Sequence, residues 1–93
     1  MRRIEATNSF KRDYKRESKG KYRVALESDF AHVVQALAKD EPLAERYRDH
    51  PLTGEWSDHR DCHIKPDLVL IYRKSDAGRL QLVRLGSHSE LGL

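Results

Sequence analysis

The sequence has little of what several large classes of protein require. Its single cysteine, Cys62, excludes an intramolecular disulfide and is typical of a reducing cytoplasm. No apolar stretch approaches the ~18 residues of a transmembrane helix, and the first residues lack the apolar run of a signal peptide. No Gly-x-Ser-x-Gly segment indicates a serine hydrolase. These absences favour a cytoplasmic protein that has no contact with membranes.

Charge is what the chain has in abundance. Asp, Glu, Lys and Arg make up 35% of the 93 residues, which are enough for a single domain over 1–93. Residues 1–24 hold nine basic and three acidic side chains, whereas the remainder holds nine basic and twelve acidic ones. A one-sided basic patch favours a nucleic-acid or acidic protein partner. A solvated helix face gives the same pattern, so that alternative stays open.

Two helices are predicted in the first half of the chain, after a short edge strand over residues 2–6. Asn8 or Ser9 is the predicted N-cap of the first helix, and Gly20 ends it. Apolar residues recurring every three or four positions predict an amphipathic second helix over about 22–39. The stretch from there to Gly54 is predicted to be a loop, with room for one helical turn around Leu43 to Tyr47, because Pro and polar residues interrupt the pattern.

Three strands are predicted in the second half, over about 56–64, 68–72 and 79–85, with turns at 65–67 and 75–78. The resulting order is βααβββ, an α+β fold, and the short connections imply antiparallel pairing of the last three strands. In the first of them, alternation puts Arg60, Cys62 and Ile64 on one face and His59, Asp61 and His63 on the other. Helices on one face leave the other open for a site.

Five polar groups of this half are candidates for one cleft: His50, Asp61, His63, Asp67 and His88. An unperturbed imidazole titrates near ~6.5, so such groups move protons at neutral pH. The set suits cleavage of RNA without a metal, because the ribose 2′-OH is the nucleophile and the protein supplies only an acid and a base. Arg60 and Arg84 suit the phosphate charge.

Zinc binding is the competing interpretation of the same region. His59-x-x-Cys62-His63, with His50 or Asp67, offers suitable ligand types. Neighbouring residues of a strand point to opposite faces, however, and there is no second cysteine pair. The residues therefore favour acid–base chemistry over a metal site.

A series of spaced segments carries these residues: Asp49-His50-Pro51-Leu52-x-Gly54, Trp56, Arg60-Asp61-x-His63-x-x-Pro66-Asp67, Ile71-Tyr72 and Gly86-x-His88-x-x-Leu91. In this order and spacing, the series resembles the YafQ-type toxins of the RelE superfamily. The resemblance implies a bacterial type II toxin–antitoxin system and a RelE-like, microbial-RNase-like fold of two helices packed on an antiparallel sheet. It also implies an endoribonuclease that cuts mRNA in the ribosomal A site.

The resemblance also implies residue roles. His50, His63, Asp67 and His88 form the acid–base set and Asp61 supports it, with His50 taken as base and His88 as acid, an assignment that the sequence does not fix. Arg84 resembles the phosphate-contacting arginine of the family. The other residues expected at RNA are Arg60, Lys11, Arg12, Lys15 and Arg16. Where members of the family commonly end His-x-x-Leu-Phe, this chain has Gly92 in place of the aromatic residue.

The partners implied by the resemblance are a cognate antitoxin, the ribosome with its rRNA, and mRNA. DNA is expected to be reached only through the antitoxin, and no metal cofactor is implied. A hypothesis from another class is a non-enzymatic binding module of the same fold, directed at a protein such as DNA gyrase or kept as an antitoxin-bound corepressor. Such a module has no use for the histidine and aspartate set, which therefore favours the enzyme.

Overall fold

A five-stranded mixed sheet with helices packed on one face makes up the protein, and the computed structural model describes residues 1–76 and 78–93. The strands are β1 (Arg3–Ala6), β2 (His50–Pro51), β3 (Arg60–Lys65), β4 (Leu68–Asp76) and β5 (Arg79–Gly86). The helices are α1 (Asn8–Glu17), α2 (Arg23–Ala25), α3 (Ala31–Ala38) and α4 (His88–Leu91). A π-helical turn, Leu26–Phe30, joins α2 to α3, and short 3-10 turns lie at Glu45–Tyr47 and Gly54–Trp56.

The strands lie in the order β1-β5-β4-β3-β2. The meander of β3, β4 and β5 is antiparallel, as predicted, and β2 adds to its far edge in the same sense. β1 instead runs parallel to β5 at the other edge, so the sheet is mixed. The predicted α+β fold with N-terminal helices on a sheet is confirmed. Two additional elements, β2 and α4, begin with the candidate site residues His50 and His88.

The helices begin and end close to the predicted positions. Thr7, rather than Asn8 or Ser9, is the N-cap of α1, because its backbone is extended and its hydroxyl accepts the Phe10 N–H at 3.0 Å. The predicted second helix is the continuous run of α2, the π-helical turn and α3. The rings of Phe10, Tyr14 and Phe30 pack together with centroids 5.4–6.0 Å apart and hold the first helix against the second.

Strand boundaries differ from the prediction at two places. β3 begins at Arg60 instead of about 56, because Gly54–Trp56 forms a 3-10 turn and Asp58 has a positive φ of 70°. β4 continues to Asp76, well beyond residue 72. The turn predicted at 75–78 includes Ala77, which lies outside the described residues.

Apolar side chains cover both faces of the central strand β4, as predicted from its nearly unbroken apolar sequence. Leu68, Leu70 and Tyr72 are buried in the main core with the helices. Val69 and Ile71 are buried on the opposite face, in a smaller cluster with Leu91 of α4 and the flanking Leu52 and Trp56. The polar candidate site residues lie beside this second apolar cluster. No helix within residues 1–76 and 78–93 is long and apolar enough to cross a membrane.

Candidate active site

Two rows of cross-strand neighbours bring the candidate residues together on the face opposite the long helices. In the first row His50, Asp61, Ile71 and Arg84 are paired in turn across β2, β3, β4 and β5. In the second row His63 is paired with Val69, and Val69 with Gly86. Residues directly opposite each other project from the same face of a sheet. His88 follows Gly86 by two residues, which completes the set.

His50 is oriented by the backbone of the loop that precedes it. Its Nδ1 lies 2.7 Å from the carbonyl oxygen of Arg48, and because a carbonyl only accepts, Nδ1 carries a proton and donates it. Nε2 is therefore the nitrogen left for substrate. It lies 3.0 Å from Oδ1 of Asp61, an oxygen that has no hydrogen-bond partner among the described residues.

His88 is oriented in the same manner by a carboxylate. Oδ1 of Asp67 accepts the His88 backbone N–H at 2.9 Å and the Nδ1–H at 2.7 Å. These two hydrogen bonds hold the pKa of Asp67 below its usual range, so Asp67 is an anion. Ser87 begins α4 with a reciprocal capping box to Glu90, which fixes the backbone at His88. His88 thus presents Nε2 on the side away from Asp67.

Asp61 and His63 form the centre of the cluster. The ring of His63 lies 6.1 Å from that of His50 and 5.0 Å from that of His88. Burial raises the pKa of Asp61, although the three imidazoles around it oppose the shift. Burial lowers the pKa of His63, with the Asp61 charge acting against it, so His63 is mainly neutral at pH 7. The neutral imidazole of His63 therefore lies between the rings of His50 and His88.

The predicted phosphate-binding residues fall into two groups. Arg84, Arg60 and Arg16 are already paired with carboxylates: Arg84 Nε donates to Asp13 at 2.7 Å, Arg60 Nε to Asp49 at 3.2 Å and Arg16 NH1 to Asp13 at 3.0 Å. Lys11, Arg12 and Lys15 are exposed on α1 and have no ion pair among the described residues. Only Arg84 belongs to the same row of the sheet as His50 and Asp61.

Cys62 and His63 are adjacent in sequence but lie on opposite faces of the sheet, which separates two of the ligands that the alternative zinc interpretation requires. Cys62 is fully buried in the core under the helices, where burial raises the pKa of its thiol. Across residues 1–76 and 78–93, no group of three or more His, Cys, Asp and Glu side chains is placed to hold a metal ion. The ring of His59 instead lies against Trp56 at 5.3 Å.

Sequence reasoning missed three residues that hold the site in place. Asp49 accepts hydrogen bonds from the Tyr72 hydroxyl and from Arg60, which ties the loop before His50 to the sheet. Arg48 provides the carbonyl that orients His50. Asp13 is buried at the edge of β5, where it holds Arg84. Asp13 is the one acidic residue between Lys11 and Arg16, which was the available signal, although its i+3 neighbour Arg16 already offered it a local partner.

We expect Asp61→Asn to stabilise the folded protein and to reduce the acid–base activity of the site. Because the pKa of Asp61 is raised by burial, its charge costs stability at neutral pH, and that cost disappears as protonation sets in toward its unfolded pKa of about 3.9. The variant should therefore unfold at a higher temperature at pH 7, with a gain that shrinks on acidification. Thermal unfolding of the wild type and the variant from pH 7 to pH 4 measures this gain. A lower melting temperature of the variant at pH 7 would contradict a stability cost of the buried Asp61 charge.

Comparison with known proteins gives matches over nearly the whole chain. The family model for "Bacterial toxin of type II toxin-antitoxin system, YafQ" matches residues 2–92. The mRNA interferase toxin YafQ of Escherichia coli K12 is 46% identical over 50 residues, which are 54% of this chain and 53% of that protein.

Solved structures extend the match to the complete fold. A copper-bound mutant toxin from Helicobacter pylori is 40% identical and superposes with a TM-score of 0.90, covering 98% of this chain and 99% of the other. The toxin of the E. coli DinJ–YafQ complex is 33% identical with a TM-score of 0.80, covering 98% of each chain. The likeness therefore includes strands β1–β5 and helix α4, and not only the segments around the histidines.

Proposed function

Because this chain belongs to the YafQ family of toxins from bacterial type II toxin–antitoxin systems, we propose that it is an endoribonuclease that cuts mRNA in the A site of the ribosome. The observation that carries the proposal is the matched orientation of His50 and His88. Each uses its Nδ1 proton in a hydrogen bond within the protein, which leaves Nε2 as the reactive nitrogen, beside Asp61 in the case of His50. An acid–base pair that acts on one phosphodiester needs this arrangement.

The proposed reaction uses the 2′-OH of the RNA as nucleophile. Nε2 of His50 removes its proton, the 2′-oxygen bonds to phosphorus, and the bond from phosphorus to the 5′-oxygen breaks. Nε2–H of His88 protonates that leaving oxygen, and the Asp67 carboxylate stabilises the imidazolium beforehand. The products are a 2′,3′-cyclic phosphate and a 5′-hydroxyl. The atoms and protons of this reaction balance without a cofactor.

The remaining site residues stabilise charge in this scheme. Asp61 is buried beside His50 and offsets the positive charge that His50 gains. His63 is neutral and donates its N–H to a phosphate oxygen between its two neighbours. Arg84, on the row of His50, stabilises the charge that develops on the phosphate oxygens. Two hydrogen bonds to Asp13 hold that guanidinium in place.

The proposed partners follow from the relatives and from the charge of the chain. The E. coli relative is solved in complex with DinJ, and we expect a cognate antitoxin to cover the basic side of this chain, where Lys11, Arg12 and Lys15 are exposed. The same side chains contact ribosomal RNA when the antitoxin is absent. A protein that acts on ribosomes and mRNA works in the cytoplasm.

Cleavage of mRNA on programmed ribosomes tests the proposal. The purified toxin should cut a message once, inside the codon in the A site, and leave naked mRNA intact. A message with 2′-deoxyribose at the nucleotide before the cut should resist cleavage, since the nucleophile is gone, whereas a deoxy nucleotide one codon away should have no effect. An intact message under conditions where the toxin still arrests growth would favour the non-enzymatic binding module.

A further inference from the structure

A basic cleft opens beside the histidine cluster, and the proposed chemistry does not use it. Its volume is about 450 Å³, within the range of clefts that hold small ligands. It is lined by Asp29, Arg46, Tyr47, Arg48, His63, Ile64, Lys65 and Pro66. His63 belongs both to this lining and to the cluster, so whatever occupies the cleft lies next to the scissile phosphate.

The charge of this cleft is incompletely balanced. Asp29 is the only carboxylate in the lining, and it lies 2.7 Å from Nζ of Lys65 and 3.9 Å from NH2 of Arg46. Arg48 is exposed and has no carboxylate within ion-pair distance among the residues that the structure describes. Its charge acts on His63. Three cations against one anion make the cleft attractive to a second negative group.

The backbone at Arg48 has an unusual conformation that directs this residue. Its φ of 49° and ψ of 46° lie in the left-handed region, which is strained for a side chain with a Cβ. The other non-glycine residues with positive φ in the described part of the chain are Asp40 and Asp58, a residue type that tolerates it. Strain of this kind concentrates at functional sites. Here it aims the carbonyl at His50 and leaves the guanidinium at the cleft.

From this arrangement we propose that the cleft binds the RNA phosphate adjacent to the scissile one, with Arg48 as the main contact and Lys65 as the second. The inference rests on the proposed function for the identity of the ligand. A guanidinium matches the geometry of a phosphate and can contact two of its oxygens. Because the contact is to a flanking phosphate, which does not change during the reaction, it strengthens binding of substrate and transition state equally.

Arg48→Asn is the variant that tests the cleft. Asparagine tolerates the left-handed backbone, so the carbonyl that orients His50 stays in place while the guanidinium is lost. In single-turnover cleavage, the half-saturating concentration of programmed ribosomes should rise about tenfold, with the rate at saturation unchanged. Arg48→Lys should recover part of that loss. Lys39→Gln removes one positive charge at the exposed end of α3 and should match the wild type.

Binding of a non-cleavable RNA separates this inference from the proposed function. For a 2′-O-methyl hexamer and the toxin alone, Arg48→Asn should reduce the slope of log affinity against log salt by about 0.7, the contribution of one phosphate contact on a single strand. A weaker hexamer affinity in the variant supports the cleft even if the wild type does not cut mRNA. Cleavage by the wild type, with half-saturation and salt slope unaltered in the variant, overturns the cleft and leaves the enzyme.

Two further results would also overturn it. A lower rate at saturation with unchanged half-saturation would mean that Arg48 acts only through His50. A loss of affinity for the antitoxin, with RNA binding unchanged, would assign the cleft to an acidic side chain of that protein. Both are measured on the same Arg48→Asn preparation, alongside the Lys39→Gln control.

Discussion

His88→Ala is expected to reduce mRNA cleavage on ribosomes by ~10²–10⁴-fold, the usual contribution of a general acid, and to relieve growth arrest in cells. The loss should be confined to chemistry. Asp67 also accepts the backbone N–H of residue 88 at 2.9 Å, and the Ser87–Glu90 capping box does not involve the imidazole, so α4 keeps its start. Single-turnover cleavage should show the lower rate at an unaltered half-saturating ribosome concentration.

A substrate with a better leaving group identifies which histidine is the acid. Sulfur in place of the 5′-oxygen at the scissile bond leaves without a proton, so this RNA should restore the rate of His88→Ala and not that of His50→Ala. His32→Ala is the matched control, because His32 lies on α3 outside the cluster, 6.4 Å from the ring of Tyr47. Full toxicity of both His50→Ala and His88→Ala would contradict the catalytic assignment, and rescue of His50→Ala instead would exchange the two roles.

The alternation of β3 was the part of the site most open to prediction from the sequence. Side chains of a strand alternate regardless of what the strand pairs with, so Asp61 and His63 were predicted to share one face and Cys62 and Ile64 the other. The structure places Cys62 and Ile64 in the main core and the other pair with the cluster. The apolar sequence of β4 likewise predicted a strand covered on both sides.

The position of His50 was not predictable in the same way. The stretch from residue 40 to Gly54 reads as a loop, and β2 consists of only His50 and Pro51. Its pairing with Arg60 and Asp61 comes from a contact between distant parts of the chain, stabilised by Asp49 with Tyr72 and Arg60. Local patterns carry no information about such contacts. For the same reason the sequence did not predict the pairing of Arg84 with Asp13, which lies 71 residues away in the chain.

Gly92 has a structural reason at the place where an aromatic residue was expected. It ends α4 with a φ of 70°, which a residue with a side chain adopts at a cost. The Leu93 N–H donates to the His88 carbonyl at 2.9 Å and closes the turn. Leu91 is buried on Val69 and Ile71, whereas Leu93 is 41% exposed. This ending therefore anchors α4 through Leu91 and the glycine turn.

The carboxylate of Asp13 anchors helix α1 to strand β5. Only 3% of it is exposed, and it accepts the Leu85 N–H at 3.0 Å, Arg84 Nε at 2.7 Å and Arg16 NH1 at 3.0 Å. Burial alone raises the pKa of a carboxyl, but here the hydrogen bonds outweigh it and the pKa of Asp13 lies below its usual value. The anion is thus more stable in the folded chain than in the unfolded one.

Asp13→Ala is expected to lower the free energy of unfolding by about 1–3 kcal/mol, the cost of a buried N–H left without a partner, here that of Leu85. The effect stays below the ~3–5 kcal/mol of a fully buried ion pair, because the side chains of Arg84 and Arg16 are 29% and 43% exposed and reach water. Urea unfolding at pH 7 measures the difference. Asp40→Asn, which removes the charge of an exposed partner of Arg2 and Lys74 and keeps a residue type that tolerates the positive φ of this position, is the control and should change stability much less.

The pH dependence of this difference carries the sign of the pKa shift. A lowered pKa stabilises the fold above the unfolded pKa of about 3.9, and that contribution is lost as the pH falls through the folded value. The difference in unfolding free energy between wild type and Asp13→Ala should therefore be complete at pH 7 and become smaller below pH 4.

Cleavage by Asp13→Ala should fall as well, because Arg84 loses the partner that holds it on the row of His50 and Asp61. Asp13→Glu should recover cleavage only as far as its longer side chain still reaches Arg84 and the Leu85 N–H. If Asp13→Ala were as stable as the wild type at pH 7, the hydrogen bonds of Asp13 would not anchor α1 to β5.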